Sequence, residues 1–189
     1  MIEVEQAAVL VLVEGRSDAV ALETLAERQG RNLEADGVAV VPIGGAQAIG
    51  RFLDRLRREG REVGLAGLCD GGEEGNFRRA LERAGLGSGL TRAGMERLGF
   101  YVCVEDLEDE LIRALGAAVV EEVVAAQGEL GPFRTLQKQP AWRGRSVEEQ
   151  LRRFMGSGGR RKIRYARLLV EALDLTRVPR PLRGVLAHV

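Results

Sequence analysis

Histidine and cysteine are nearly missing from this sequence. Its one histidine, His188, lies next to the C-terminus, and its two cysteines, Cys69 and Cys103, stand apart with no CxxC spacing. That scarcity argues against zinc ligation and against a disulfide framework, each of which needs several such side chains at short spacings. It also leaves only a tail residue for a Ser/His/Asp or Cys/His centre, and the two cysteines read as small buried apolar groups. No apolar run reaches the ~18 residues of a membrane span, and no basic segment precedes the apolar stretch 7–13 as it would in a secretory leader. A cytoplasmic protein with no membrane partner is the expectation. Lysine is scarce too: Lys138 and Lys162 are the only two among 28 basic residues.

What remains is ample for one core, because 189 residues at 45% apolar and 30% charged describe a globular chain and not a disordered or fibrous one. The formal net charge of zero hides a segregation. Residues 1–133 hold 14 basic and 24 acidic side chains, a balance of −10, whereas residues 134–189 hold 14 basic and 4 acidic, a balance of +10. A polyanion would be drawn to the second part and repelled by the first, unless divalent cations bound the acids there.

The runs 7–13, 37–43, 63–69 and 99–104 are short, aliphatic and apolar on both faces, the pattern of strands covered by helices on both sides. Between them, 17–29, 46–59 and 73–84 repeat apolar residues at spacings of three and four. This alternation implies a doubly wound, mainly parallel α/β sheet over residues 1–113. Residues 114–189 read as a helical, arginine-rich extension. Its helices are expected from within 107–115 onward, at 117–127, 147–154 and 160–173, with a linker at 128–144. The last long helix is expected to pack back on the core, and the tail with Pro179 and Pro181 to form a surface cap.

In open parallel sheets, ligands bind beyond the carboxyl ends of the strands, so acids there carry the most weight. Glu14 follows the first strand, with Asp18 one helical turn further on. Asp70 follows the third in LCDGGEEG, and Glu105, Asp106 and Glu108 follow the fourth in VEDLEDE. Each could merely cap a helix. Gathered at one edge, they would repel one another until hard cations bound between them, which suits magnesium or manganese better than zinc.

LVEGRSD followed by LCDGGEEG at a strand end resembles a Toprim domain, the magnesium-binding module of topoisomerases, primases and several nucleases. VEDLEDELIRALG and RRKIRYARLLVEAL resemble, more narrowly, the overcoming-lysogenization-defect (OLD) nucleases. The resemblance spans roughly residues 8–180 and implies a Toprim-like fold and a two-metal Mg²⁺ or Mn²⁺ nuclease. It makes Glu14, Asp18, Asp70 and Glu73 ligands of one ion, and gives Asp106 and Glu108 to the second. It also implies DNA as partner, RNA not being excluded, and allows a homodimer. Two departures stand out. Toprim domains usually carry Asp-x-Asp, but Gly72 stands where the second carboxylate would be, which leaves Glu73 or Glu74 to supply it. OLD proteins generally carry an N-terminal ATPase, whereas this sequence begins on the first Toprim strand, so any ATPase would act in trans.

Winding 160–173 at about 100° per residue puts Ala166, Leu169 and Leu173 within about 40° of Lys162, so this lysine sits on the apolar face. It either snorkels out at the helix end or meets an anion. The resemblance implies a functional lysine on this helix, which makes Lys162 a catalytic candidate with Glu14 and Asp70. Arg160, Arg161, Arg164 and Arg167 are the candidate nucleic-acid contacts. A non-catalytic binding module is the alternative. PIGGAQAIG at 42–50 reads as a tight turn before a phosphate site. A topoisomerase would need a nucleophilic tyrosine, and neither Tyr101 in a strand nor Tyr165 on the apolar helix face suits that role.

Overall fold

Four aliphatic runs form four parallel strands, β1 (Val9–Val13), β2 (Val38–Pro42), β3 (Gly64–Cys69) and β4 (Phe100–Val102), in the order β2-β1-β3-β4. These come from a computed structural model that describes residues 4–189; the first three residues of the expected 1–113 unit lie outside it. Successive strand residues point to opposite faces. Val11 and Val13 therefore pack under α1 (Arg16–Arg28), while Leu10 and Leu12 pack under α2 (Ile49–Arg58) and α3 (Glu74–Arg83). Helices on both faces account for the apolar runs that lack alternation.

α4 (Arg92–Arg97), which has no counterpart among the expected elements, starts at Thr91, whose hydroxyl accepts the Gly94 N–H at 3.1 Å. After β4 the chain is helical: α5 (Leu107–Leu115), α6 (Ala117–Ala126), α7 (Leu130–Lys138), α8 (Val147–Met155), α9 (Gly159–Ala172) and α10 (Arg180–His188). α9 packs along α1, and Tyr165, Ala166, Leu169 and Val170 join the buried cluster of Val11 and Val13. The expected boundary at 113/114 falls inside α5, and residues on both sides of it share that cluster.

Two expectations fail for the same reason. The expected linker contains α7, and the expected surface cap is α10, whose Leu182, Val185 and Leu186 are buried. Pro132 and Pro181 lie in the first turns of these helices, where a missing N–H costs nothing, so they start helices here and do not break them. α10 closes on the sheet at Gly184, where a Cβ would lie 2.2 Å from the Tyr101 ring. The segment 42–50 turns through Gly44 and Gly45, both at positive φ, as a tight turn requires. No helix among the described residues is long and apolar enough to cross a membrane.

Candidate active site

β1 and β3 are neighbours, yet the chain leaves them in opposite directions, toward β2 and toward β4. The crevice beyond their carboxyl ends is thus the topological switch point of the sheet. Glu14 ends β1 and Asp70 ends β3, and they are directly joined: the Asp70 N–H donates to Glu14 Oε1 at 2.9 Å. Asp18, 6% exposed in the first turn of α1, accepts the Gly15 N–H at 2.8 Å. The third group of acids is brought in by Gly71, whose N–H donates to the Glu105 carbonyl at 2.8 Å. A Cβ on Gly71 would stand 2.2 Å from the Val104 carbonyl, so only glycine permits this approach. Gly72 has open space around it, so sterics do not explain the missing carboxylate there.

The cation felt by Glu14, Asp18 and Asp70 is Lys162. From the first turn of α9 its Nζ reaches Glu108 Oε2 at 3.3 Å. Its side chain stays one-third exposed, so it is neither fully in the core nor free in solvent. Glu108 is 4% exposed, and its other oxygen, Oε1, is buried with no hydrogen-bond partner among the described residues.

Burial and crowding push these carboxyls above their ordinary range. Asp70 is raised to about 7, by burial first and then by Glu14 and Asp18. Glu108 is raised to about 7 by burial, against the pull of Lys162. Burial also raises Glu14 and Asp18, opposed at Glu14 by the Asp70 N–H and at Asp18 by the Gly15 N–H. Folded Asp70 and Glu108 thus retain protons that the unfolded chain releases between its ordinary carboxylate pKa values and 7. The metal-free protein should gain stability as pH falls from 8 to about 5.5, since Glu129, whose pKa is lowered mainly by Arg161 and Tyr165 against its own desolvation, acts in the opposite sense only below about 4.5. Divalent cations compete with those protons, so they should raise the melting temperature more at pH 8 than at pH 6. Calorimetry in a chelator and in Mg²⁺ checks both signs; a metal-free protein less stable at pH 6 than at pH 8 contradicts the crowding.

The other candidates divide. Asp106 caps α5, accepting the Asp109 N–H at 2.9 Å, and is also bound by Arg152 Nε at 2.7 Å. Its charge still reaches Asp18, Asp70 and Glu108. Glu73 faces Glu14 electrostatically and takes a hydrogen bond from the Asn76 amide, whereas Glu74 is drawn away into an ion pair with Arg92 at 2.6 Å. Of the arginines, Arg161 and Arg164 converge on Glu129 together with the Tyr165 hydroxyl, and Arg167 pairs with Glu171 at 2.8 Å. Arg160 is exposed and has no carboxylate partner among the described residues. Sequence reasoning missed Arg152 and Glu129, because each acts by meeting a residue that no periodicity connects to it, and it missed Asn76, although that residue stands a helical spacing of three after Glu73.

A parallel sheet with acids at its switch point, followed by an all-helical extension, is a Toprim-like α/β fold. Comparison with known proteins agrees on that fold. Residues 7–69 match the family of overcoming lysogenization defect protein-like TOPRIM domains. The fold is that of the C-terminal region of OLD proteins. The one from Xanthomonas campestris pv. campestris is 22% identical with a TM-score of 0.69, covering 96% of this chain and 93% of that one. The one from Burkholderia pseudomallei is 18% identical with a TM-score of 0.69, covering 96% of each. No curated protein matches the chain.

Proposed function

We propose that this chain is a divalent-cation-dependent phosphodiesterase acting on nucleic acid, a DNA nuclease or nickase of the OLD type. The observation that carries this reading is the set of buried or half-buried, mutually repelling carboxylates Glu14, Asp18 and Asp70 at the switch point, with the Lys162 charge felt by all three. The donor set fits Mg²⁺ or Mn²⁺: every group is a hard anionic oxygen, and Glu108 Oε1 is an unpartnered buried acceptor. As the side chains stand, no three acids among the described residues are grouped tightly enough to hold an ion, so binding requires rotamer adjustment.

In this reading Glu14, Asp18, Asp70 and Glu73 hold one cation, while Glu108 and Asp106 hold or orient a second. When bound, such ions activate water and stabilise the leaving oxygen. The protein's own part is positional. The Asp70–Glu14 hydrogen bond fixes the two strand ends relative to each other. Glu108 holds the Lys162 ammonium beside the acids, where it can meet charge developing on a phosphate. Arg152 steadies Asp106 and with it the start of α5.

Incubating the protein with supercoiled plasmid in Mg²⁺ or Mn²⁺, with a chelator control, tests the reading; intact plasmid under all conditions overturns it. A second reading, a binding module without catalysis, is favoured by Gly72 and predicts salt-sensitive DNA binding with no cleavage. The ligand set makes its own prediction. Glu73→Gln should weaken Mn²⁺ binding about tenfold or more, and Glu74→Gln should leave it nearly unchanged, because Glu74 is spent on Arg92. Titration calorimetry compares them, and equal effects remove Glu73 from the site.

A further inference from the structure

Ion pairing divides the basic side chains of the C-terminal part unevenly. Arg134, Arg145, Arg152, Arg161, Arg164, Arg167 and Arg180 all face carboxylates. Lys138, Arg143 and Arg153 are exposed and none has a carboxylate partner among the described residues, yet they lie together. Arg143 Nη2 donates to the Lys138 carbonyl at 3.3 Å, and the Arg153 guanidinium lies 5.9 Å from the ring centroid of Trp142. Trp142 is the only tryptophan in the chain and is partly exposed. A tryptophan left partly exposed beside a cation forgoes some of the burial that its size would normally secure.

The loop that presents it is held in place. Gln150, 6% exposed on α8, donates to the Trp142 carbonyl at 2.9 Å and to the Arg145 carbonyl at 3.2 Å, and accepts the Gln137 amide at 2.7 Å. One buried side chain thereby ties α7, the loop and α8 together. Arg153, which lies against Trp142, directly follows Arg152 on α8, and Arg152 Nε bonds Asp106 at 2.7 Å.

We propose that Trp142, with Lys138, Arg143 and Arg153, is a docking platform for unpaired bases, so that the substrate this chain grips is a single-stranded or locally opened nucleic acid. An aromatic ring among unpaired cations is the combination that holds a strand by stacking and phosphate attraction without reading sequence. A duplex hides its bases and would leave the ring unused. This inference rests on the proposed action on nucleic acid, and its test separates the two.

Because there is one tryptophan, its fluorescence reports this place alone, while the anisotropy of a dye-labelled oligonucleotide reports binding anywhere. Oligo(dT), oligo(U) and a duplex of equal length are titrated in a chelator. The expected result is quenching of Trp142 by the single strands and much less by the duplex. Stronger quenching by oligo(dT) than by oligo(U), or the reverse, identifies which strand chemistry is preferred, and either supports the platform. Trp142→Ala should lower single-strand affinity about tenfold, Trp142→Phe should restore most of it, and Arg143→Glu with Arg153→Glu should flatten the salt dependence. Anisotropic binding without quenching, or quenching by the duplex alone, overturns the platform. No binding of any oligonucleotide overturns the platform, while the nucleic-acid reading falls separately, with intact plasmid in both Mg²⁺ and Mn²⁺.

Discussion

A Glu14→Gln protein is expected to fold as the parent does and to lose metal-dependent cleavage by at least about 100-fold, the upper end of what even an outer partner of a metal ligand costs when removed. Glutamine is the informative replacement because Glu14 has two roles. Its Oε1 accepts the Asp70 N–H at 2.9 Å, a bond that glutamine retains and alanine does not. Its charge sits partly buried and is repelled by Asp18 and Glu73. Alanine would therefore lose a hydrogen bond worth about 1 kcal/mol while relieving repulsion and desolvation, so the two stability effects oppose each other. Glutamine relieves the repulsion and keeps the bond, and its apo form should be as stable as the parent or slightly more so. Plasmid nicking by a well-folded Glu14→Gln protein at the parent's rate removes the metal assignment.

Replacing Lys162 with alanine should lower the cleavage rate by about 10²–10³, the cost of removing one preorganised charge-stabilising group, while affinity for the nucleic acid changes little. Lys162 is the cation whose charge is felt at Glu14, Asp18 and Asp70, Arg152 being taken by Glu105 and Asp106, and its partner Glu108 is almost fully buried with one oxygen already unpartnered. Without the ammonium, Glu108, already raised to about 7 by burial, should hold its proton to still higher pH, so the loss extends to that carboxylate. Arg160→Ala is the control. That side chain is exposed and uncommitted, and its loss should weaken binding and reduce the salt slope by about one unit while sparing the rate at saturation. Arg164 and Arg167 are poorer controls than their exposure alone indicates, because Glu129 and Glu171 already hold them. Rates at saturating substrate and affinities across a salt series decide the matter; a Lys162→Ala protein that behaves like Arg160→Ala has lost a contact and not a catalytic group.

The sheet and the acids at its strand ends were legible in the order of residues alone. Strands buried on both faces announce themselves as short aliphatic runs such as VLVLV, the amphipathic helices between them by their period, and the acidic edge by Glu14 and Asp70 standing where those runs stop. All of these signals are local, carried by residues within one element or at its end. Lys162 was legible on the same terms, as a charge on the apolar face of a helix. The tertiary structure decided everything that depends on two distant segments meeting. It turned Pro132 and Pro181 from breakers into helix starts, because the helices they begin have core to cover. It gave Glu108 to Lys162, Asp106 to Arg152, and Glu129 to Arg161 and Arg164, so that side chains equal in sequence became an arginine held by a carboxylate here and, at Arg153, one with no carboxylate partner among the described residues. Charge acts through space and not along the chain, and which arginine finds a carboxylate is fixed only once the helices have packed.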